Sequence, residues 1–595
     1  MSSPSDTYVL LRAFVDELAR CGMQAACTAP GSRCAPLVVS LANEPRISAY
    51  SHIDERCAGF FALGFAKASG RPVAIACTSG TAAAELHPAV IEAYEARVPL
   101  IVLSADRPAE LREVGAGQTI DQLALYGSSA KWFVEMRIEE ATPASLRWIR
   151  TLACRAYSRA CEGRPGPVQL NFPLREPLIA DPDLPADESG RGDGRPYVSR
   201  PPARLLERAS RDTLEELVRG AHRGVVVAGR HERDPRDTDR PGAPHGLAGA
   251  AAALCSALRW PLLADPLSGA RRGDAAIAHY DGLLRDERFR ARVRPDLVLR
   301  VGDLPTSKPL REWLASLREV PQLALDPEDA WQDPDGVLSH TLPLDPPRAL
   351  IALEERRELL AAAEPDWLAE WRSADERAAE AILGALAGEE LSEPLVAREL
   401  GVLLPPKATL FVASSMPVRD LEAFWPVRAV PPRALCNRGA NGIDGTVSSA
   451  FGASAAEALA GAPGPVVLLT GDVALAHDLG GLLAARRLSL KLTIVLLDNE
   501  GGGIFDFLPL ARAAIAREAY TDHVATPPRL DFAQAAALYG LTHERPQDLS
   551  VFREALERAL AQERSAIVEV RTERAANVAL HERVWESVGA AVNGA

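Results

Sequence analysis

The stretch Pro465-Val-Val-Leu-Leu-Thr-Gly-Asp-Val473 and its downstream counterpart Leu492-Thr-Ile-Val-Leu-Leu-Asp-Asn-Glu-Gly-Gly502 each run from continuous apolar residues into turn-forming ones. Short, uninterrupted apolar runs that end in turn residues read as parallel strands buried on both faces. Ligands on such sheets bind beyond the carboxyl ends of the strands. That is where Asp472, Asn499 and Gly501 fall. Mg²⁺ takes near-octahedral oxygen ligands and binds through one carboxylate together with substrate phosphates. Asp472 offers the carboxylate, Asn499 an amide oxygen and Gly501 a backbone carbonyl, so the two strand ends read as a metal-diphosphate clamp. Taken alone, Gly-Asp and Asp-Asn-Glu-Gly also read as ordinary turns.

Working outward, the 595-residue chain is too long for a single core, and its length suggests roughly four domains. Hydrophobic residues make up 47% and charged residues 25%, the balance of a globular protein. A formal net charge of −14 gives no basic field to draw in nucleic acid or an anionic membrane. Any anionic substrate must therefore be held by locally clustered cations. Lysine is scarce, occurring only at Lys67, Lys131, Lys308, Lys407 and Lys491, and arginine supplies the remaining positive charge. The nine cysteines include no Cys-x-x-Cys pair, and Cys27, Cys77 and Cys255 sit in apolar runs. This fits reduced thiols and a cytoplasmic location. The first twenty residues form an amphipathic, acid-containing pattern and no long apolar stretch occurs, so neither secretion nor membrane spanning is expected.

Three doubly wound α/β domains in series are expected, over 1–185, 204–350 and 385–580. In the first, Pro72–Cys77, Pro99–Ser104 and Pro167–Asn171 are strand-like runs alternating with helical patterns. Asp181 to Ala203, dense in Pro, Gly, Asp and Arg, reads as an exposed linker. Arg223–Gly229, Pro261–Ala264 and Asp296–Gly302 mark strands of the second unit, with His231 to Leu247 as a surface insertion. Residues 350–388 carry a charged helical pattern expected to pack along the outside as a connector. Thr409–Ala413, Pro465–Thr470, Leu492–Leu497 and Ala566–Val570 mark the third unit.

Further strings lie just after strand-like runs. They are Ala29-Pro-Gly-Ser-Arg-Cys-Ala-Pro-Leu37, Thr78-Ser-Gly-Thr-Ala82, Ser104-Ala-Asp-Arg-Pro108 and Gly117-Gln118. Asn437-Arg-Gly-Ala-Asn-Gly-Ile-Asp-Gly445 and Gly502-Gly-Ile-Phe-Asp-Phe-Leu-Pro509 join them, as does Ser51-His-Ile-Asp-Glu-Arg-Cys-Ala-Gly-Phe-Phe-Ala-Leu-Gly64. The last reads on its own as an acidic helix N-terminus, favoured by the macrodipole. Together with the clamp, these strings closely resemble the thiamine-diphosphate enzymes, and within them the synthase family of menaquinone biosynthesis. The resemblance spans roughly residues 8–580 and rests on several independent strings.

The resemblance implies a transferase that uses thiamine diphosphate and Mg²⁺, with Mn²⁺ able to substitute. It would decarboxylate 2-oxoglutarate and add the succinyl-semialdehyde carbanion to isochorismate. Glu55 matches the glutamate that activates the cofactor through its aminopyrimidine ring, and a partly buried glutamate there is expected to have a raised pKa. Asp472, Asn499 and the Gly501 carbonyl match the metal ligands, and Ile443 matches the apolar wedge that bends the cofactor. Ser32, Arg33, Arg107, Gln118, Lys308, Ser415, Arg419 and Arg438 match positions that receive substrate carboxylates and hydroxyls, with Arg33 and Gln118 also expected in catalysis. Ile504, Phe505 and Leu508 match apolar walls near the thiazolium. A homodimer at minimum, and a tetramer beyond it, is the implied assembly.

Some features depart from the pattern or read otherwise. Val473 stands where the wider superfamily commonly has Gly, Asp498-Asn499 replaces an Asn-Asn start, and Pro309 follows Lys308 where some relatives carry Arg. An isolated arginine in so arginine-rich a chain is ordinarily solvated or ion-paired. Arg107 and Arg438 stand above that background because they lie in turn-rich loops. Ser415-Met-Pro-Val-Arg419 also reads as a plain helix entry with proline in its first turn. His581-Glu-Arg-Val-Trp585 lacks the second histidine of a zinc-protease motif, and no P-loop occurs. The alternative enzyme is another thiamine-diphosphate carboligase or 2-oxoacid decarboxylase, such as an acetohydroxyacid synthase. An inactive cofactor-binding paralogue is the rival from another class.

Overall fold

The computed structural model describes residues 4–594 apart from 180–183, 185, 186, 199–206, 232–245, 389, 462, 463 and 514–518. Two compact units emerge: one of Met1–Ala203, Asn437–Ala462 and His477–Lys491, the other of Arg204–Cys436, Pro463–Ala476 and Leu492–Ala595.

The first unit is built on a six-stranded sheet of β1 (Ala25–Thr28), β2 (Ser48–Ser51), β3 (Val73–Cys77), β4 (Leu100–Asp106), β5 (Trp132–Glu135) and β6 (Val168–Pro173). Their spatial order is β2-β1-β3-β4-β6-β5, every pair parallel. The second unit holds a five-stranded sheet of β7 (Gly224–Ala228), β8 (Leu262–Ala264), β9 (Leu297–Val301), β10 (Gln322–Leu325) and β11 (His340–Leu342), in the order β11-β10-β9-β7-β8. It also holds a six-stranded sheet of β12 (Thr409–Val412), β13 (Arg433–Leu435), β14 (Val466–Gly471), β15 (Thr493–Asp498), β16 (Thr542–Glu544) and β17 (Ala566–Arg571). Its order, β13-β12-β14-β15-β17-β16, repeats the topology of the first sheet. In both, the winding reverses between the second and third strands in space. Open α/β sheets carry their crevice at such a reversal, at the carboxyl end.

The central strands are buried on both faces, β3, β4, β14 and β15 being almost wholly enclosed. Each is built around a run of four Val, Ile, Leu or Ala residues, as a sheet covered by helices on both sides requires. In the first unit the helix Glu55–Ser69 packs on the helix Thr446–Leu459 at backbone range. A Cβ on Gly64 would lie 1.9 Å from the Ser449 carbonyl oxygen, and one on Gly452 would lie 2.0 Å from that of Phe61. The alternation of Gly, Ala and Ser in both helices makes this approach possible, and it fixes where Glu55 emerges.

Two expectations need correction. The connector expected outside over residues 350–388 is instead two helices, Pro346–Glu355 and Trp367–Ala385, and the second closes the central core. Trp367, Trp371, Ala374, Ala378 and Ile382 are buried in it, with Trp371 edge-on to Phe289, Trp313 and Trp367 at 5.2, 5.8 and 6.2 Å. These positions recur every three or four residues, so they line one stripe while the charges face out. The segment expected as an exposed linker over Asp181–Ala203 is exposed at 191–195 and 198 but is tied down at Asp187 and Ser189. Asp187 and Ser189 accept hydrogen bonds from Arg150 at 2.6 and 2.8 Å, because that buried guanidinium also needs Asp16, at 2.6 Å, and Glu17, at 2.7 Å, to be satisfied. Of the insertion expected at His231–Leu247, residues 232–245 lie outside the described residues. All nine cysteines are free. Among the described residues no helix is long and apolar enough to cross a membrane.

Candidate active site

In the second unit, Asp472 and Asn499 follow β14 and β15, neighbours paired in register from Val467 with Thr493 to Gly471 with Leu497. The two side chains therefore leave adjacent strand ends on one rim. Asp472 is 1% exposed, and its Oδ2 accepts the Gly501 N–H at 2.7 Å. Burial pushes its carboxyl up from 3.8 to about 7. Asn499 donates Nδ2 to Glu393 Oε1 at 2.8 Å, and its Oδ1 is buried with no hydrogen-bond partner. A buried amide oxygen without a donor is costly in an otherwise satisfied site. A hard cation would satisfy it.

Gly501 sits at φ +136°, and a Cβ there would lie 2.4 Å from Arg574 Nη1 and 2.6 Å from the Ala525 carbonyl. Only glycine fits. Its carbonyl accepts from the Gly503 N–H at 2.9 Å, which leaves a second lone pair. One carboxylate, one amide oxygen and one carbonyl are the donor set that Mg²⁺ takes beside a diphosphate, so the residues fit the group.

The donor set gives a pH prediction. An acid whose folded pKa is raised stabilises the empty fold at low pH, and that contribution is lost as pH rises through about 7. Mg²⁺ binds the deprotonated form and recovers it. The rise in melting temperature on adding Mg²⁺ and thiamine diphosphate should grow from pH 6 to pH 8, and a flat or falling gain would remove Asp472 from the site. Asp472→Ala should abolish the Mg²⁺ dependence of cofactor affinity, checked by titration with and without the metal.

On the same unit Ser415, Arg419, Ile504, Phe505 and Leu508 follow β12 and β15. Ser415, at φ +74°, opens the helix Met416–Phe424, and Arg419 Nη1 donates to its carbonyl at 2.5 Å. Ile504 and Phe505 lie in the turn Gly503–Phe507, with Leu508 just beyond, and Phe505 and Leu508 expose 38% and 47% of their surface. Lys308 begins the helix Lys308–Ser316, is exposed, and has Glu312 as an ion partner at 3.5 Å rather than another expected substrate residue.

In the first unit, Ser32 and Arg33 follow β1, Glu55 follows β2, Ser79 follows β3 and Arg107 follows β4, all on the carboxyl rim. Asp54 caps the helix through the Cys57 N–H at 3.2 Å and leaves Glu55 as its first residue. Burial, with the charges of Asp54 and Glu85, raises the Glu55 pKa, as expected for this position. Arg33 is 6% exposed and donates to the Leu174 carbonyl at 2.7 Å and to Glu176 at 2.9 Å.

Arg107 donates to Ser79 Oγ, and Gln118, at φ +58°, donates Nε2 to the Ser79 carbonyl at 2.9 Å. Burial and then the charge of Arg33 pull the Arg107 pKa down. The two guanidinium groups thus lie within each other's field, with Arg107 held on Ser79 and Ser79 held in turn by Gln118. Ser32 is exposed beside them.

Arg438 and Ile443 are half-buried in the loop that precedes the helix Thr446–Leu459. Buried Glu92 anchors that loop, accepting the Gly439 N–H at 2.9 Å and the Ala440 N–H at 2.6 Å. Gly445 ends it at φ +62°, where a Cβ would fall 1.8 Å from the Phe60 ring.

Glu92 and Glu393 carry interactions that sequence reading does not single out, and Ser79 appears in it only as part of the string Thr78–Ala82. Glu393 in Ser-Glu-Pro reads as a helix-start acid, and nothing local signals that it turns inward.

The family model of the thiamine pyrophosphate enzyme N-terminal TPP binding domain matches residues 10–125. The middle domain of thiamine pyrophosphate enzymes matches 191–412, and their C-terminal TPP binding domain matches 419–570. A 2-succinyl-5-enolpyruvyl-6-hydroxy-3-cyclohexene-1-carboxylate synthase of Geobacillus kaustophilus is 45% identical over 594 residues, 98% of this chain and 97% of that protein. Those of Bacillus velezensis and Chloroflexus aurantiacus are 41% and 40% identical, each over 98% of this chain and covering 97% and 96% of their own lengths. With its three sheets, its donor set on one rim and this full-length identity, the chain belongs to the 2-succinyl-5-enolpyruvyl-6-hydroxy-3-cyclohexene-1-carboxylate synthase family of thiamine-diphosphate enzymes.

Proposed function

We propose that this protein decarboxylates 2-oxoglutarate and joins the resulting four-carbon unit to isochorismate in menaquinone biosynthesis. The observation that carries the reading is the presence, in a chain alike to synthases over nearly its whole length, of both a diphosphate-metal donor set and two arginines, Arg33 and Arg107, within each other's field on one strand rim. Both substrates are dicarboxylates, and paired guanidinium groups recognise carboxylates through parallel hydrogen bonds.

Bound thiamine diphosphate supplies the nucleophilic carbon and the electron sink for loss of CO₂. The chain's residues do the rest. Asp472, Asn499 and the Gly501 carbonyl would hold the metal that neutralises the diphosphate. Glu55, with its raised pKa, would hold a proton at the pyrimidine ring nitrogen. Ile443 would pack against the cofactor, while Ile504, Phe505 and Leu508 would keep water and stray protons from the reacting carbon. Ser32, Arg33, Arg107, Gln118, Lys308, Ser415, Arg419 and Arg438 would bind carboxylates and hydroxyls.

Domains over 1–185, 204–350 and 385–580, a homodimer at minimum with a tetramer beyond it, and a cytoplasmic location complete the reading, supported by family resemblance. The test is to supply 2-oxoglutarate, isochorismate, Mg²⁺ and thiamine diphosphate together and weigh the product. The expected mass is the sum of both substrates less CO₂. Consumption of pyruvate in preference to 2-oxoglutarate would favour an acetohydroxyacid synthase instead.

A further inference from the structure

Glu393 is the first residue of the helix Glu393–Leu403 and would ordinarily face water there, complementing the helix dipole. It is instead 1% exposed, with Oε1 accepting from Asn499 Nδ2 at 2.8 Å and from Thr572 Oγ1 at 3.0 Å. An asparagine amide has nearly isosteric ends, and only its hydrogen bonds decide which end points where. Glu393 Oε1 already accepts the Thr572 hydroxyl, so it offers its second lone pair to an N–H. It therefore takes the NH₂ end of Asn499 and leaves Oδ1 as the end without a hydrogen-bond partner. Thr572 steadies the same carboxyl oxygen.

We propose that Glu393 is a positioning residue which fixes the Asn499 amide with its oxygen toward the metal, so that the ligand is preorganised. The proposal rests on the reading of Asp472, Asn499 and Gly501 as the metal site. Partners behind a metal ligand set its orientation, and removing one typically weakens metal binding about 10–100-fold.

The test titrates Mn²⁺ into the full-length protein with thiamine diphosphate present and follows free Mn²⁺ by electron paramagnetic resonance, with circular dichroism to check folding. Glu393→Met, which keeps length but removes the acceptor, should weaken Mn²⁺ binding about 10–100-fold. Glu393→Gln, whose amide oxygen still accepts, should stay close to wild type. Asn499→Asp places a second carboxylate against Glu393 and should also bind weakly. Adding Glu393→Gln to it turns the repulsion into a hydrogen bond, and should recover about tenfold or more.

Asp472→Ala reports on the site itself. If Asp472→Ala loses Mn²⁺ while a folded Glu393→Met binds like wild type, the positioning role is overturned and the metal site stands. If Asp472→Ala binds like wild type, the metal site falls and the proposal with it. Should Glu393→Met not fold, the Asn499→Asp pair decides, and no recovery in the double variant overturns the proposal.

Discussion

Glu55→Gln should bind thiamine diphosphate with near-normal affinity and lose about 10²–10⁴-fold in turnover, the range of a positioned acid or base. The substitution is nearly isosteric, and the structure gives no reason for the fold to notice it. Glu55 is the first residue of its helix, Asp54 provides the cap, and the packing that fixes the helix is made by Gly64 and the residues around it. What changes is the ability to share a proton with a ring nitrogen. Burial, with Asp54 and Glu85 adding to it, raises the Glu55 pKa, which brings proton sharing closer to balance at neutral pH. An amide cannot share a proton in this way. The measurement is exchange of the cofactor's thiazolium C2 proton with deuterated water, which precedes any substrate chemistry. Near-normal exchange in the variant would remove Glu55 from the activating role, whatever happened to turnover.

The legibility of this chain in its sequence follows burial. β3, β4, β14 and β15 are enclosed on both faces, so their sequences are continuous apolar runs that end where the strand ends. Edge strands are less constrained. β2 alternates half-buried and exposed residues and β16 is half-buried throughout, and neither stands out from a loop. The same logic separates Asp472 from Glu393. Asp472 follows an unmistakable strand, at the place where such a sheet binds ligands. Glu393 lies in a distant stretch and becomes informative only when folding brings it to Asn499. The helix Trp367–Ala385 reads as an outer connector because its charges dominate the sequence, although its tryptophans form a buried stripe. Arg33 and Arg107 were legible as loop arginines, but their mutual field, and the bracing by Ser79 and Gln118, come from the order of strands in the sheet.

That mutual field sets the last expectation. If Arg33 and Arg107 serve isochorismate, Arg33→Ala and Arg107→Ala should leave 2-oxoglutarate decarboxylation nearly normal and impair the second half-reaction. Each lost charge-assisted hydrogen bond costs about 1.5–3 kcal/mol, or roughly 10–150-fold in binding at 1.4 kcal/mol per factor of ten. Lysine should rescue poorly, because an ammonium cannot reproduce the planar fork. The two positions should also differ. Arg33 is anchored to the Leu174 carbonyl and Glu176, so its loss removes structural contacts and should lower thermal stability. Arg107 is held through Ser79 and lies in the field of Arg33, so its removal relieves a repulsion in the empty protein and should lower thermal stability less. The experiment follows the first half-reaction spectroscopically with 2-oxoglutarate alone, then adds isochorismate and measures its consumption. If both variants bind cofactor normally but stall before isochorismate is added, the arginines receive 2-oxoglutarate instead. Arg33 and Arg107 would then belong to the first substrate, and Ser415, Arg419 and Arg438 would become the residues to test for the second.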